Sequence, residues 1–557
     1  MILLGALLLR LWGIRYELPF VQSDEKLHFV PKAVAFFQNG YNPEYFGNPP
    51  GYSYLLHGVY WLRYGGPQGA VQTFLNNGSD VYLTARIVSA ILGTITVWLI
   101  YMTAKRLFDA RVGLASAALM AVAFLPTFYS HRALNDAPML VPVTLSLFGS
   151  AGILLRGRRL DYVIAGVGLG LACATKYLGG IVLVPLVAAA AVRVKQRDAA
   201  PRVLLAAGLG GLAAVAAFLI ANPFSVLDYR TFLSEIEFVS PARFARGKIK
   251  LGLRIDHGMV FYLWTMTWGL GWAPSIAALG GTVLLAIRRP AVALFLATAP
   301  ILFVVAMGSR PGYNARYLLP VFPMLVLLAG YAVVEVLDVV RRHVRPRFLQ
   351  IGAVAVVVVL LLGQSLQHVV HADVALTRTS TRTLARDWIF RHIPPGSRLF
   401  VEPIYLELRD NPVYRFPGVT RTARMRWRKV SLAQVLYWGG FIPKSRVTAV
   451  ELRSVKRFVT FLRPELLDVY SRHGICWVIT GSGQYGRAFN DPDKVPQAIA
   501  YYRELARRGR VAFHVRPYDS PEPASLELDV SHNYYRFEIS RPGPEIIVYR
   551  LPAPRCR

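Results

Sequence analysis

LDYVIAGVGLGLACATKYLGGIVLVPLVAAAAV, residues 160–192, decides the topology of this chain. Its only charges are Asp161 near the start and Lys176 in the middle. As one helix it would far exceed the ~20 residues that cross a bilayer core; as two short helices meeting at Lys176 it makes two spans. The flanking charges discriminate. With two helices, five basic clusters share one side: Lys105, Arg106 and Arg111; Arg156, Arg158 and Arg159; Arg193, Lys195, Arg197 and Arg202; Arg288 and Arg289; Arg341, Arg342, Arg345 and Arg347. With one helix, the cluster at 193–202 falls opposite the cluster at 156–159. The positive-inside rule selects two helices and makes the basic side cytoplasmic.

Outward from that stretch, apolar runs recur at 84–104, 112–130, 137–155, 203–221, 258–287, 291–308, 317–334 and 348–367. The run from Met1 to Ile14 is short and interrupted by Arg10, with no small-residue cleavage site behind it, and reads as a first transmembrane helix. The expectation is a polytopic α-helical membrane region over 1–370, with about eleven spans. The 557 residues are 54% hydrophobic and 17% charged, which agrees with such a region. A formal net charge of +31 would suggest nucleic acid in a soluble protein. Here much of the excess lies in short loops between apolar runs, no nucleic-acid module is recognisable, and a basic membrane protein attracts anionic lipid headgroups. Cys173, Cys476 and Cys556 have neither metal spacing nor a disulfide framework. Cys173 reads as a small packing residue, and a Cys476–Cys556 bridge is open to an oxidising compartment.

The face opposite the basic clusters receives the long loop 15–80, the short loop 131–136, the long loop 222–257, the loop 309–316 and everything after 370. The tail 371–557 reads as a soluble α/β domain. Thr379 to His392 has a helical pattern ended by Pro394-Pro395-Gly396, Arg398 to Val401 is a strand, Cys476 to Thr480 and Glu545 to Tyr549 are buried strands, and Lys494 to Arg507 is a helix. It contains no Gly-rich phosphate loop, nucleophile elbow or metal motif, and reads as a lid or scaffold over a membrane-surface site.

The acids of that face concentrate in the first two loops. The first reads Gln22-Ser-Asp-Glu-Lys-Leu-His-Phe29, then Asn42-Pro-Glu-Tyr-Phe-Gly-Asn-Pro-Pro-Gly51. Adjacent carboxylates at a membrane surface need partners or a task. Two compatible readings stand for Asp24: it caps a helix starting at Glu25, or it takes a proton from an acceptor hydroxyl attacking a sugar carbon. His28 lies one helical turn on and reads as a hydrogen-bonding partner of these acids. Asn48-Pro49-Pro50 is a turn between segments. Asp136, in the second loop, suits a cap for a helix beginning at Ala137-Pro138. Arg86 and Lys176 stand at or inside apolar runs, where charge is costly unless paired, and are candidate functional residues; Arg310 and Arg316 lie near outer span ends, where an arginine costs little.

Asp24-Glu25 followed by His28-Phe29, then Asn48-Pro49-Pro50, resembles the first external loop of protein O-mannosyltransferases and their bacterial ArnT-like relatives, glycosyltransferase family 39 and neighbours, with the GT-C fold. Ala85-Arg86-Ile-Val-Ser89, Thr175-Lys176-Tyr177, Arg316-Tyr317-Leu-Leu-Pro320 and the tail segments Arg382 to Ile389 and His392 to Gly396 are similar too. This chain departs by one extra residue in the first motif and by Asn48 where eukaryotic members have His. The resemblance implies a GT-C membrane domain over 1–370 and an extracytoplasmic α/β domain over 371–557, in a bacterial or archaeal cytoplasmic membrane.

The resemblance also implies an inverting enzyme of the cell envelope that moves a hexose or pentose, such as mannose, from a polyprenyl phosphate to a protein, lipid or glycan acceptor. Asp24 matches the catalytic Asp, with Glu25 beside it, and Asp136 is similar to a second acidic position. His28, Arg86, Asp136, Lys176, Arg310, Arg316 and Tyr317 are then expected to bind substrate. No cofactor is expected; a divalent metal is conceivable, but no ligand cluster indicates one. The rival reading is a polytopic transporter or lipid flippase, which would show internal repeats and polar groups near the membrane midplane. No repeat is visible here.

Overall fold

The computed structural model describes residues 1–21, 25–196, 200–239, 251–252, 255, 257–310, 312–410, 425–448, 458–520 and 536–552. Each expected span overlies helix. Seven described helices are long and apolar enough to cross a membrane: Pro67–Leu107, Tyr177–Lys195, Ala200–Ala221, Gly258–Arg288, Pro290–Gly308, Ala315–His343 and the one starting at Arg347. The pair Ala110–Val122 and Phe124–Ser130, bent by 58°, makes an eighth, and Ile2–Leu11 and Leu140–Leu155 are shorter apolar helices.

The deciding stretch is broken as its charges require. Helix Arg159–Thr175 stops at Lys176, whose backbone is extended, and a 3-10 turn Tyr177–Val182 leads into Leu183–Gln196. Helix 159–175 packs closely because it is rich in small residues. A Cβ on Gly166 would stand 2.0 Å from the Gly210 carbonyl oxygen, and one on Gly168 would stand 2.4 Å from the Ser146 nitrogen. Glycine there lets three helix backbones approach. Asp161 on the same helix pairs with Arg106, so the charge is compensated.

Segment 15–80 is largely helical rather than a loop. Glu25–Phe29 forms a π turn, followed by Val30–Ala35 and Gly51–Arg63, and the long helix already begins at Pro67, with a kink at Asn77. Helix 51–63 buries Tyr52, Leu56 and Tyr60, one every four residues, against the long helix. Tyr52 donates to the Ala85 carbonyl at 2.9 Å and Tyr60 to the Val81 carbonyl at 3.3 Å. These polar tips on buried rings made the segment look less helical than it is. Segment 222–257 likewise holds helices Phe224–Leu227 and Tyr229–Val239.

After the helix Arg347–Thr377, which runs beyond the expected boundary near 370, comes the amphipathic helix Thr381–His392, N-capped by Ser380. A five-stranded mixed sheet follows: β1 (Arg398–Val401), β2 (Arg428–Val430), β3 (Ile475–Gly481), β4 (Arg510–Val515) and β5 (Ile546–Arg550), in the order β2-β1-β3-β5-β4. β1 is parallel to β2 and β3, and β5 is antiparallel to β3 and β4. Helix Pro496–Arg508 buries Ala498, Ile499, Tyr501, Tyr502 and Leu505 against one face of it. Cys556 lies outside the described residues, and with it the Cys476–Cys556 bridge.

Candidate active site

The first two acid-bearing segments meet through Glu25. Its Oε1 accepts from Arg86 Nε at 3.0 Å and from the Ala133 amide at 2.6 Å, and its Oε2 accepts from Arg86 Nη2 at 2.9 Å. Arg86 Nη1 donates to the Ile14 and Tyr16 carbonyls, both at 2.9 Å, and the guanidinium lies 4.4 Å from the Tyr16 ring centre. Arg86 has no exposed surface and Glu25 is 4% exposed. The cation expected to meet a lipid phosphate is thus engaged inside the protein. Its planar fork matches a carboxylate and two carbonyls, and it ties the N-terminal segment, the first loop and the second loop together. Glu25 has the same structural duty. Asp24 lies outside the described residues.

The second acid, Asp136, is 1% exposed. It does not cap the following helix, which begins only at Leu140. Instead its carboxylate is paired with Lys176 and lies 4.0 Å from Arg316 Nη1. Lys176 is available because the helix before it ends at Thr175, and the Asn135 side chain holds that end by donating to the Thr175 carbonyl at 2.8 Å. Arg316 comes from the 3-10 turn Ala315–Val321, whose start is fixed by the Asn314 side chain accepting from the Arg316 amide. The Tyr317 ring lies 5.9 Å from Lys176 Nζ and 6.0 Å from the Arg316 guanidinium. Four expected residues (Asp136, Lys176, Arg316 and Tyr317) therefore converge from three separate segments. Arg310 does not join them: it is exposed on the turn after Gly308, 3.8 Å from Met307 Sδ, in a setting where an arginine costs little.

The Asn48-Pro49-Pro50 turn borders the same place. Pro50 is the N-cap of helix 51–63, and a Cβ on Gly51 would stand 2.6 Å from the Ala174 carbonyl oxygen, two residues before Lys176. Tyr177 donates to the Phe46 carbonyl at 2.8 Å. His28 is carried on a π turn and stacks on Tyr45, with ring centres 5.3 Å apart. Among the described residues no group of three or more His, Cys, Asp or Glu side chains is spaced to hold a metal ion.

Residues 73–220, which include Arg86, Asp136 and Lys176, match the model of the family described as dolichyl-phosphate-mannose-protein mannosyltransferase. The Archaeoglobus fulgidus oligosaccharyltransferase in its apo form has a TM-score of 0.50 at 13% identity, with 89% of this chain and 72% of that chain covered. The chain shares with that protein a polytopic membrane fold of the GT-C type. ArnT from Cupriavidus metallidurans bound to undecaprenyl phosphate is similar over 100% of this chain and 98% of its own, with a TM-score of 0.49 and 15% identity. The S. cerevisiae Pmt1-Pmt2 complex bound to the sugar donor has a TM-score of 0.35 at 21% identity, covering 46% of this chain and 38% of that chain. No curated protein matches the sequence.

Two further side chains, Lys32 and His131, have partners that sequence spacing does not mark. Lys32 Nζ lies 5.0 Å from the Tyr45 ring centre and 3.4 Å from the Tyr45 carbonyl oxygen. Burial pushes this amine down to about 8, against the opposing pull of Glu44 and Glu235. Its sequence signal was slight, since a single lysine after Pro31 looks like any loop lysine. His131 shows the same blindness to tertiary context. It bonds the Thr127 and Trp12 carbonyls at 3.0 and 2.9 Å and meets Asp373 at 3.2 Å, a partner more than two hundred residues away.

Proposed function

We propose that this chain is a glycosyltransferase that moves a sugar from a polyprenyl-phosphate donor to an acceptor at the outer face of the cytoplasmic membrane, with inversion. The convergence of Asp136, Lys176, Arg316 and Tyr317 beside the first loop carries this reading. Two cations share one buried carboxylate there, so the group is net positive, which suits a departing phosphate monoester. The matched family's description names a dolichyl-phosphate sugar, a donor of the same class.

In the proposed step the acceptor oxygen attacks the anomeric carbon from the side opposite the phosphate. The new carbon–oxygen bond forms as the bond to the phosphate oxygen breaks. Asp24 takes the acceptor proton, as the family resemblance implies, and polyprenyl phosphate leaves with its bonding pair, its charge met by Lys176 and Arg316. Asp136 holds the two cations in place. The outward orientation follows from the cytoplasmic assignment of the basic loops. Mannose, another hexose or a pentose are the candidate sugars, and protein, lipid or glycan the candidate acceptors.

The test is sugar release by the purified protein from a panel of radiolabelled polyprenyl-phosphate sugars, beside Asp24→Asn. Release that depends on Asp24 supports the reading and names the donor. Normal turnover by Asp24→Asn would overturn the role given to that residue. If a full donor and acceptor panel gave no release while a liposome assay showed lipid flux, the transferase reading would fall.

A further inference from the structure

The C-terminal domain holds the first loop at three points. Glu17 Oε1 accepts from Ser380 Oγ at 2.9 Å and from Arg382 Nη1 at 2.8 Å. Arg386, one turn further along the helix Thr381–His392, places its guanidinium 4.3 Å from the Phe20 ring centre. Lys26 Nζ then pairs with Glu407 Oε2 at 2.9 Å. Glu17 and Arg382 are 9% and 11% exposed at their side chains, so water screens that pair less than it screens surface pairs, while Lys26, 35% exposed, meets a Glu407 that is 10% exposed.

The contacts are anchored on both sides. Arg382 Nε also donates to the Ile404 carbonyl at 2.7 Å, just beyond β1, so the clasp is fixed to the sheet. Glu17 and Tyr405 both have left-handed backbones, with φ of 55° and 57°, which non-glycine residues keep only where their surroundings hold them. Burial alone would push the Glu407 carboxyl up, yet Lys26 and Arg409 hold it below the usual carboxylate range. On the membrane side, Lys26 follows Glu25, whose carboxylate takes the Ala133 amide, and Ala133 lies three residues before Asp136.

We infer that the C-terminal domain positions Glu25, and through Ala133 the loop bearing Asp136, by the pairs Glu407–Lys26 and Arg382–Glu17. Glu407 and Arg382 are positioning residues of the transferase site, and the domain is a working part of it. This rests on the reading of that site given above. A rigid path of packed and hydrogen-bonded groups is what such coupling needs.

A charge swap in the full-length protein in lipid nanodiscs tests it. Lys26→Glu and Glu407→Lys are made singly and together, with three readouts: amide exchange of the peptide from Glu17 to Phe29, turnover, and affinity for polyprenyl phosphate. Each single change is expected to speed exchange in that peptide and lower turnover about 10-fold, inside the roughly 100-fold that a 1 Å misplacement can cost. Lipid-phosphate affinity should fall less than turnover, since Lys176 and Arg316 keep their charges, and the double change should restore exchange and turnover.

A salt bridge that served stability alone would lower turnover and lipid-phosphate affinity together and would not give that split. Exchange in β3 controls for folding, and if β3 loosens the isosteric Glu407→Gln is read as a single change on peptide exchange and turnover. Single changes that leave the peptide's exchange as in the parent, or a pair that rescues neither readout, overturn the inference. Exchange is read without donor, so a chain that transferred no sugar would sink the functional reading and leave this one to the exchange data.

Discussion

Glu25 grips Arg86 through both carboxylate oxygens, at 3.0 and 2.9 Å, with neither side chain reaching solvent to any extent. Removing one member of such a pair strands the other charge. Arg86→Ala is therefore expected to destabilise the protein by about 3–5 kcal/mol, read as a large fall in thermal midpoint in detergent. Arg86→Lys should recover little, because an ammonium cannot reproduce the two-pronged bond or reach both carbonyls. A stable Arg86→Ala protein that had lost only polyprenyl-phosphate binding would return Arg86 to the role of a phosphate ligand.

Lys176 and Arg316 should behave differently. They flank Asp136 at a broken helix and a 3-10 turn, where substitution disturbs local packing less than in a span interior. Lys176→Met is expected to lower turnover by about 10²–10³-fold, the scale of losing one preorganised charge-stabilising donor, with a smaller fall in thermal midpoint than Arg86→Ala because Arg316 still lies 4.0 Å from the buried Asp136. Arg316→Met should fall in the same direction. Arg310→Met, outside the cluster, should stay near the parent. Equal losses at Arg310 and Arg316, measured as single-turnover sugar transfer, would show that the 309–316 turn acts as one unit and that the cluster is drawn too narrowly.

Gly51 offers a test through sign. At most unobstructed helical positions alanine is more favourable than glycine by up to about 1 kcal/mol. At Gly51 the added Cβ would sit 2.6 Å from the Ala174 carbonyl oxygen, closer than real contacts allow. Gly51→Ala is expected to lower the thermal midpoint and turnover together, by pushing the Asn48-Pro49-Pro50 turn off the break at Lys176. A more stable, fully active variant would show that this close approach does not matter.

How much of this was legible in the sequence follows from the range of the interactions. The break at Lys176 was readable because a lone charge in a long apolar run, with basic clusters on either flank, has few solutions. The strand at 398–401 and the helix around 381–392 carried local punctuation, Pro394-Pro395-Gly396 between them and a serine cap before the helix. The sequence marks Arg86 as a charge needing a partner, but its spacing does not reveal that Glu25, sixty-one residues earlier, takes the guanidinium. The sequence places Asp136, Lys176 and Arg316 on one face but not which of them pair, and it does not show the clasp from Glu17 to Arg382, a hydrogen bond between residues 365 positions apart. The helices inside 15–80 were missed for another reason: Tyr52 and Tyr60 bury polar tips by bonding the next helix, so their run looks less apolar than the face it buries.

Glu402 carries the pH prediction. It sits just beyond β1, 1% exposed, with Oε1 accepting from Tyr502 at 2.7 Å and Oε2 from the Gly481 amide at 3.0 Å. Burial pushes its carboxyl up to about 8, and these two hydrogen bonds oppose the shift without cancelling it. The folded domain thus keeps a proton that the unfolded chain releases near its ordinary carboxyl value of about 4.3. Because the folded state binds more protons between those two values, stability from this group is full below the unfolded value. It falls as pH rises and is lost by the time the folded carboxyl ionises near 8. Glu402→Gln removes the proton from the balance. Its amide oxygen can accept from Gly481, and its amide nitrogen can donate to Tyr502. The variant should therefore show a flatter dependence of thermal midpoint on pH between about 5 and 8, and at the upper end it should melt above the parent. Parallel curves for the two proteins would mean that Glu402 is ionised in the folded domain and that Tyr502 and Gly481 stabilise the carboxylate after all.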